Sequence, residues 1–238
     1  MSDTSLNGKL RLLVVEGRGD EYFFTKLLEH LGKQESFEFV DCEGKHNLDE
    51  ELTNILNRDD FAEITDIGIV LDNDYPENRN GNNAFNAVIE AIEVANKNFI
   101  MNNPQISRRL VKPRAPRVKM VGRPRVSALL LPSDDEDGAI EDLVFAALHK
   151  DKILDCVNAY FTCLCEAGIK SNEARLPKSK LSAYISGIVT DEDFARHDDA
   201  KRLFLTQAID MKWWQEKDMW NRPAFDDAKA FLTQLLDD

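Results

Sequence analysis

Residues 10–20, LRLLVVEGRGD, and residues 67–74, IGIVLDND, decide the reading of this chain. In each, an apolar, β-branched run stops abruptly at carboxylates: Glu16 and Asp20 in the first, Asp72 and Asp74 in the second. A short continuous apolar run predicts a strand buried on both faces, as in a parallel sheet. After Gly17, the apolar residues Phe23, Phe24, Leu27, Leu28 and Leu31 recur at helical spacing until Gly32. Carboxylates at the C-terminal ends of neighbouring parallel strands meet in the crevice where open α/β sheets bind ligands.

Working outward, residues 36–41 alternate as a second strand, and residues 47–57 carry a helical period with Asn47 as N-cap. A third strand is expected at 66–71, a helix at 83–100, a fourth strand at 126–131 and a helix at 140–149. Residues 101–125 hold four prolines and read as a long loop with a short strand at 118–121. Strand and helix alternate four times, which predicts an α/β fold: a mostly parallel four-stranded sheet with flanking helices. Beyond residue 150 the pattern is helical only, at 152–168, 178–187, 198–211 and 224–236. The expected division is an α/β domain over 8–150 and a C-terminal helical extension over 151–238. Trp213, Trp214 and Trp220 are expected to fill the contact between them.

The 238 residues are 43% hydrophobic, enough for a core, and no apolar run reaches the ~18–20 residues of a membrane span. The N-terminal segment lacks the apolar stretch of a signal peptide. Cys42, Cys156, Cys163 and Cys165 show no paired zinc spacing and are expected as free thiols, the last three buried in one apolar helix. These features point to a reduced, cytoplasmic protein. A net charge of −13 argues against a general nucleic-acid coat, yet no acidic residue lies between positions 93 and 134. Lys97, Arg108, Arg109, Lys112, Arg114, Arg117, Lys119, Arg123 and Arg125 all fall in that window. The last eight form a candidate nucleic-acid-binding segment, with docking of a partner protein as the equal alternative.

The order strand, Glu16-Gly17, helix, then strand, Asp72-Asn73-Asp74, resembles the Toprim domain. A third block, LLLPSDDEDGAIEDLVF (129–145), is similar to the strand–turn–Glu segment of standalone and OLD-family Toprim nucleases and offers Glu141. A fourth, RLPKSKLSAYIS (175–186), resembles the later lysine-bearing segment, with Lys178 and Lys180 competing as the active lysine. The long basic loop departs from a minimal Toprim unit, and no GxxxxGK[ST] ATPase motif occurs in the chain. The resemblance implies a Toprim-like sheet and a nuclease that uses Mg²⁺ or Mn²⁺, in some relatives alongside a separate ATPase in antiphage defence. Within that expectation Asp72 and Asp74, two apart on a strand end, share a cation, and Glu16 completes the shell or serves as general base. Asp20 and Glu141 suit a second cation. In the acidic run at 134–137, read mainly as a solvated loop, Asp137 beside Gly138 is the candidate ligand.

Each residue also has a plainer role available. Asp20 suits a helix N-terminus as well as a metal. Asp142 reads as an exposed neighbour of Glu141, and the four His are scattered. The competing functional classes are a primase-type nucleotidyl transferase and a non-catalytic Toprim-like binding or regulatory subunit.

Overall fold

The computed structural model describes residues 10–75, 83–169, 176–188 and 205–237. Four strands, β1 (Leu10–Val15), β2 (Glu38–Asp41), β3 (Ile64–Asp72) and β4 (Arg125–Leu131), form one all-parallel sheet in the order β2-β1-β3-β4. The apolar run at 12–15 is fully buried, as double-sided coverage requires. Alternate residues serve opposite cores. Leu12, Val14, Ile67, Ile69 and Leu71 face α2 (Leu48–Asn57) and α3 (Ala84–Asn102). Leu13, Val15, Val70, Leu129 and Leu131 face α1 (Arg18–His30) and α4 (Ile140–Ala147).

That second core continues into the C-terminal helices α5 (Lys152–Glu166), α6 (Leu176–Ile188), α7 (Leu205–Asp210), α8 (Lys212–Glu216) and α9 (Asp226–Leu236). These helices share one hydrophobic core with the sheet and complete its second helical layer. Trp214 stacks on Phe225, and Trp220 packs edge-on against both Phe23 of α1 and Trp214. The expected tryptophan contact is therefore present. α9 reaches the sheet itself through Gly68 of β3. A Cβ there would stand 2.6 Å from Leu235 Cδ1 and 2.8 Å from Leu13 Cδ1.

Three expectations are corrected. No strand forms at 118–121. This stretch runs alongside β4, with Arg117 N–H donating to Ala128 O (2.6 Å) and Met120 N–H to Val126 O (3.4 Å), and so shields an open sheet edge without regular pairing. Cys156, Cys163 and Cys165 are exposed, because α5 turns Leu154, Val157 and Phe161 inward and the cysteines lie off that stripe; only Cys42 is buried. Asn47 stands at the α2 N-cap, but its side chain donates to Cys42 O and caps nothing. Residues 1–9 and the 198–204 portion of the expected 198–211 helix lie outside the described residues.

Gly68→Ala should lower stability by roughly 1–3 kcal/mol, because a methyl group must displace fully packed leucines. Combined with Leu235→Ala, the two losses should fall short of additive, since each relieves the other. Denaturant titration of the three variants measures this.

Candidate active site

The strand order reverses between β1 and β3, and the ligand crevice of such a sheet opens at that point beyond the C-terminal strand ends. A cleft of about 650 Å³ lies there. Glu16 enters it from the end of β1, Asp20 from the first turn of α1, Asp72 from the end of β3, Glu141 from α4 and Lys178 from α6. Residues separated by more than a hundred positions are thus brought to one cavity.

Local chemistry fixes each side chain. Gly17 N–H donates to Asp20 Oδ2 (3.1 Å), so Asp20 closes the start of α1 while also lining the cleft. Asp142 does the same for α4, accepting from Ala139 N–H at 2.9 Å; it is half-buried and structural, not the exposed neighbour expected. That turn depends on Gly138, whose φ is +147° and where a Cβ would lie 2.7 Å from Asp142 Oδ2. Beyond it, Ile140 N–H donates to Asp72 Oδ1 (3.1 Å), and Glu141 is left 6% exposed.

The cleft carries more negative charge than its surroundings compensate. Burial, then Glu16 and Glu141, push the Asp20 carboxyl up to about 7. Burial and the neighbouring Asp20, Glu16 and Glu141 hold Asp72 well above the usual carboxylate range, while Lys178 opposes the rise. Burial also raises Glu141, again against Lys178. One oxygen of Glu16 and one of Glu141 are buried without any hydrogen-bond partner among the described residues. An orphaned carboxylate oxygen is costly and signals an unmade contact. Among the described residues, no three His, Cys, Asp or Glu side chains stand grouped as a ready-made metal site. The donor set is nevertheless hard oxygen, the chemistry of Mg²⁺ and Mn²⁺.

Residues 10–237 match the family described as "Protein of unknown function (DUF3226)". The chain belongs to the DUF3226 family. No curated protein and no solved structure matches it.

The remaining candidate residues of this DUF3226 chain lie elsewhere. Asp74 does not line the cleft: the strand ends at Asp72, Asn73 turns inward to donate to Glu136 O, and Asp74 pairs with Lys45. The strand alternation that would aim both aspartates one way has ended before Asp74 is reached. Asp137 is exposed and borders a separate hollow with Asn73, Asp134 and Asp135. Lys178 and Lys180 part company. Lys178 faces the carboxylates, and Lys180 lines the neighbouring hollow.

Of the basic segment, Arg108 lies over the Phe61 ring and donates to Leu56 O and Arg58 O. Lys112 pairs with Glu93, and Arg117 with Asp134 and Asp227. Lys119 and Arg125 pair with Asp66. Arg109, Arg114 and Arg123 are exposed and have no ion-pair partner among the described residues. Arg18, Asp41, Glu43 and Thr206 also line the cleft, though the motifs did not single them out. Asp41 and Glu43 had a visible signal: β2, like β1, ends in acids followed by glycine.

A pH dependence follows. The folded chain retains a proton on Asp20 up to about pH 7, whereas an unfolded aspartate loses it near 3.8. Between these values the folded state binds more protons, so stability falls as pH rises and the penalty is complete above pH 7. Asp20→Asn keeps the oxygen that accepts from Gly17 and removes the charge. It should stabilise the metal-free protein at pH 8 by on the order of 2 kcal/mol, a partial share of 1.36 kcal/mol per unit, and change little at pH 4. Thermal melts at both pH values test this.

Proposed function

We propose that the chain is a divalent-metal-dependent nuclease that hydrolyses phosphodiester bonds. The observation that carries this reading is the convergence of Glu16, Asp20, Asp72, Glu141 and Lys178 on one cleft, with a buried, unpartnered oxygen on both Glu16 and Glu141. Glu16, Asp72 and Glu141 would hold Mg²⁺ or Mn²⁺, with Asp20 beside them, and a cation would offset both the burial and the mutual repulsion that raise the aspartates. Bound metal supplies Lewis-acid polarisation of the phosphoryl oxygens and an acidified water. Glu16, at the half-buried end of β1, would complete that shell or take the proton of an attacking water. The exposed Lys178 ammonium offsets charge gathering on the phosphoryl oxygens. Ile140 N–H fixes the Asp72 carboxylate, and Arg18 on the rim, exposed and without an ion-pair partner among the described residues, would hold a flanking phosphate.

The Toprim resemblance extends the reading to a cytoplasmic protein acting beside a separate ATPase in antiphage defence. Among the described residues, no helix is long and apolar enough to cross a membrane.

Purified protein should cleave DNA or RNA in Mn²⁺ or Mg²⁺. Glu16→Gln, which preserves shape, should lower kcat by ~10²-fold or more, as should Lys178→Ala. Mn²⁺ should raise the melting temperature of the wild type, and Asp72→Asn with Glu141→Gln should remove that rise. A metal-induced rise without cleavage of any nucleic acid would leave a binding subunit in place of an enzyme.

The basic segment adds a separate test. If Arg109, Arg114 and Arg123 hold phosphates, reversing their charges should flatten the salt dependence of nucleic-acid affinity, which otherwise falls with a log–log slope of roughly −0.9 per contact on duplex DNA. An unchanged slope would reserve that surface for a protein partner.

A further inference from the structure

We infer that the hollow beside the carboxylate cleft is a nucleobase subsite, which makes the substrate an unpaired nucleotide rather than an intact duplex. The inference rests on the nuclease reading for its place in a reaction, but its own test needs no turnover.

Neighbouring residues of α4 and α6 divide between the two cavities. On α4, Glu141 lines the cleft and Asp142 lines the hollow; on α6, Lys178 lines the cleft and Lys180 the hollow. Burial and Asp142, with Glu141 of the cleft adding to them, raise the Tyr75 hydroxyl, so the hollow lies within electrostatic reach of the cleft carboxylates. A nucleotide whose phosphate lies against those carboxylates can direct its base toward the hollow. The hollow measures about 380 Å³, within the ~300–1,000 Å³ typical of small-ligand sites and roomy enough for a planar heterocycle.

Its lining suits a base. Tyr75 and Phe145 are half-buried and supply aromatic surface, with Leu154 buried behind. Every base has a π-face, so aromatic platforms hold unpaired strands whatever their sequence. The polar groups are few. Asp142, beside Tyr75, accepts from Ala139 N–H and caps α4, so that carboxylate is committed to the protein. The Asn158 amide and the Lys180 ammonium have no partner among the described residues. An amide presents a donor and an acceptor side by side, the arrangement that pairs with a base edge. A base within a duplex is stacked and paired and reaches such a hollow only when unstacked.

The test is binding by the 238-residue chain carrying Glu16→Gln, measured by fluorescence anisotropy. The probe is a short labelled single strand of mixed sequence, compared with the same strand bearing abasic residues. The base-bearing strand should bind roughly tenfold more tightly or better, the size expected of a base stacked on an aromatic ring. Asn158→Leu, at an exposed helix position, removes the amide and narrows the hollow without adding a π-face, and should reduce the difference. Tyr75→Ala should reduce the difference independently. Competition by free AMP at concentrations as low as those of the strand would assign the hollow to free nucleotides; competition by strand alone would assign it to nucleic acid. Equal affinity for the two strands, or a base preference unchanged in both Asn158→Leu and Tyr75→Ala, would overturn the inference. Failure of the wild type to cleave anything would overturn the nuclease reading and leave this binding result standing.

Discussion

Asp66 is fully buried at the start of β3, and much of the architecture is tied to its charge. Arg125 from β4 approaches its carboxylate to 2.8 Å, Lys119 from the long loop to 3.1 Å and Arg11 from β1 to 3.8 Å. An isolated buried carboxylate is strongly unfavourable, so these cations are obligatory partners. Arg11 and Lys119 also donate to the carbonyls of Leu235, Leu236, Gln234 and Asp237 at the end of α9, where the helix dipole is negative. One buried charge thereby joins two other strands, the edge-covering loop and the C-terminal helix at the N-terminal end of the sheet.

This arrangement gives the molecule an electrostatic polarity. Cations gather where the strands begin, around Asp66 and the hollow lined by Lys119, Arg123 and Arg125. Carboxylates crowd where the strands end. The separation explains how an acidic chain can carry a cation-rich segment without neutralising its own cleft. It also changes the meaning of that segment: Lys119 and Arg125 serve the fold, and the cations without ion-pair partners among the described residues, Arg109, Arg114 and Arg123, are exposed.

The sheet was legible because its strands are short apolar runs, and burial on both faces leaves few other readings. The cleft was legible in part for the same reason: Glu16 and Asp72 sit where such runs stop. Asp74 was not, because alternation holds only while the strand lasts, and Asn73 turns inward one residue beyond it. The roles of Lys119 and Arg125 were hidden for a different reason. Asp66 looks like any acid at a strand start, and two of the cations beside it, Arg11 and Lys119, are also held by the carbonyls of Gln234, Leu235, Leu236 and Asp237 at the far end of the sequence. The exposed cysteines of α5 show the same limit. Their residue type favours burial, but the inward stripe of the helix had already been taken by Leu154, Val157 and Phe161.

The packing also bears on how the carboxylates can be held so close. Repulsion at the cleft opposes the fold, and marginal stability leaves little room for such a term. The surrounding layers supply the restraint. Glu141 is fixed on a helix whose Leu143 and Val144 enter the main core, and Asp20 is anchored to Gly17 at the head of a helix that buries Phe23, Phe24, Leu27 and Leu28. Asp72 is pinned by Ile140 N–H. None of these side chains can swing far into solvent without releasing a hydrogen bond or a buried element. A cleft whose charges are restrained by core packing is preorganised to receive compensating charge, and the reorganisation it then needs is small. The C-terminal helices, which look peripheral along the chain, are therefore part of what keeps the carboxylates together.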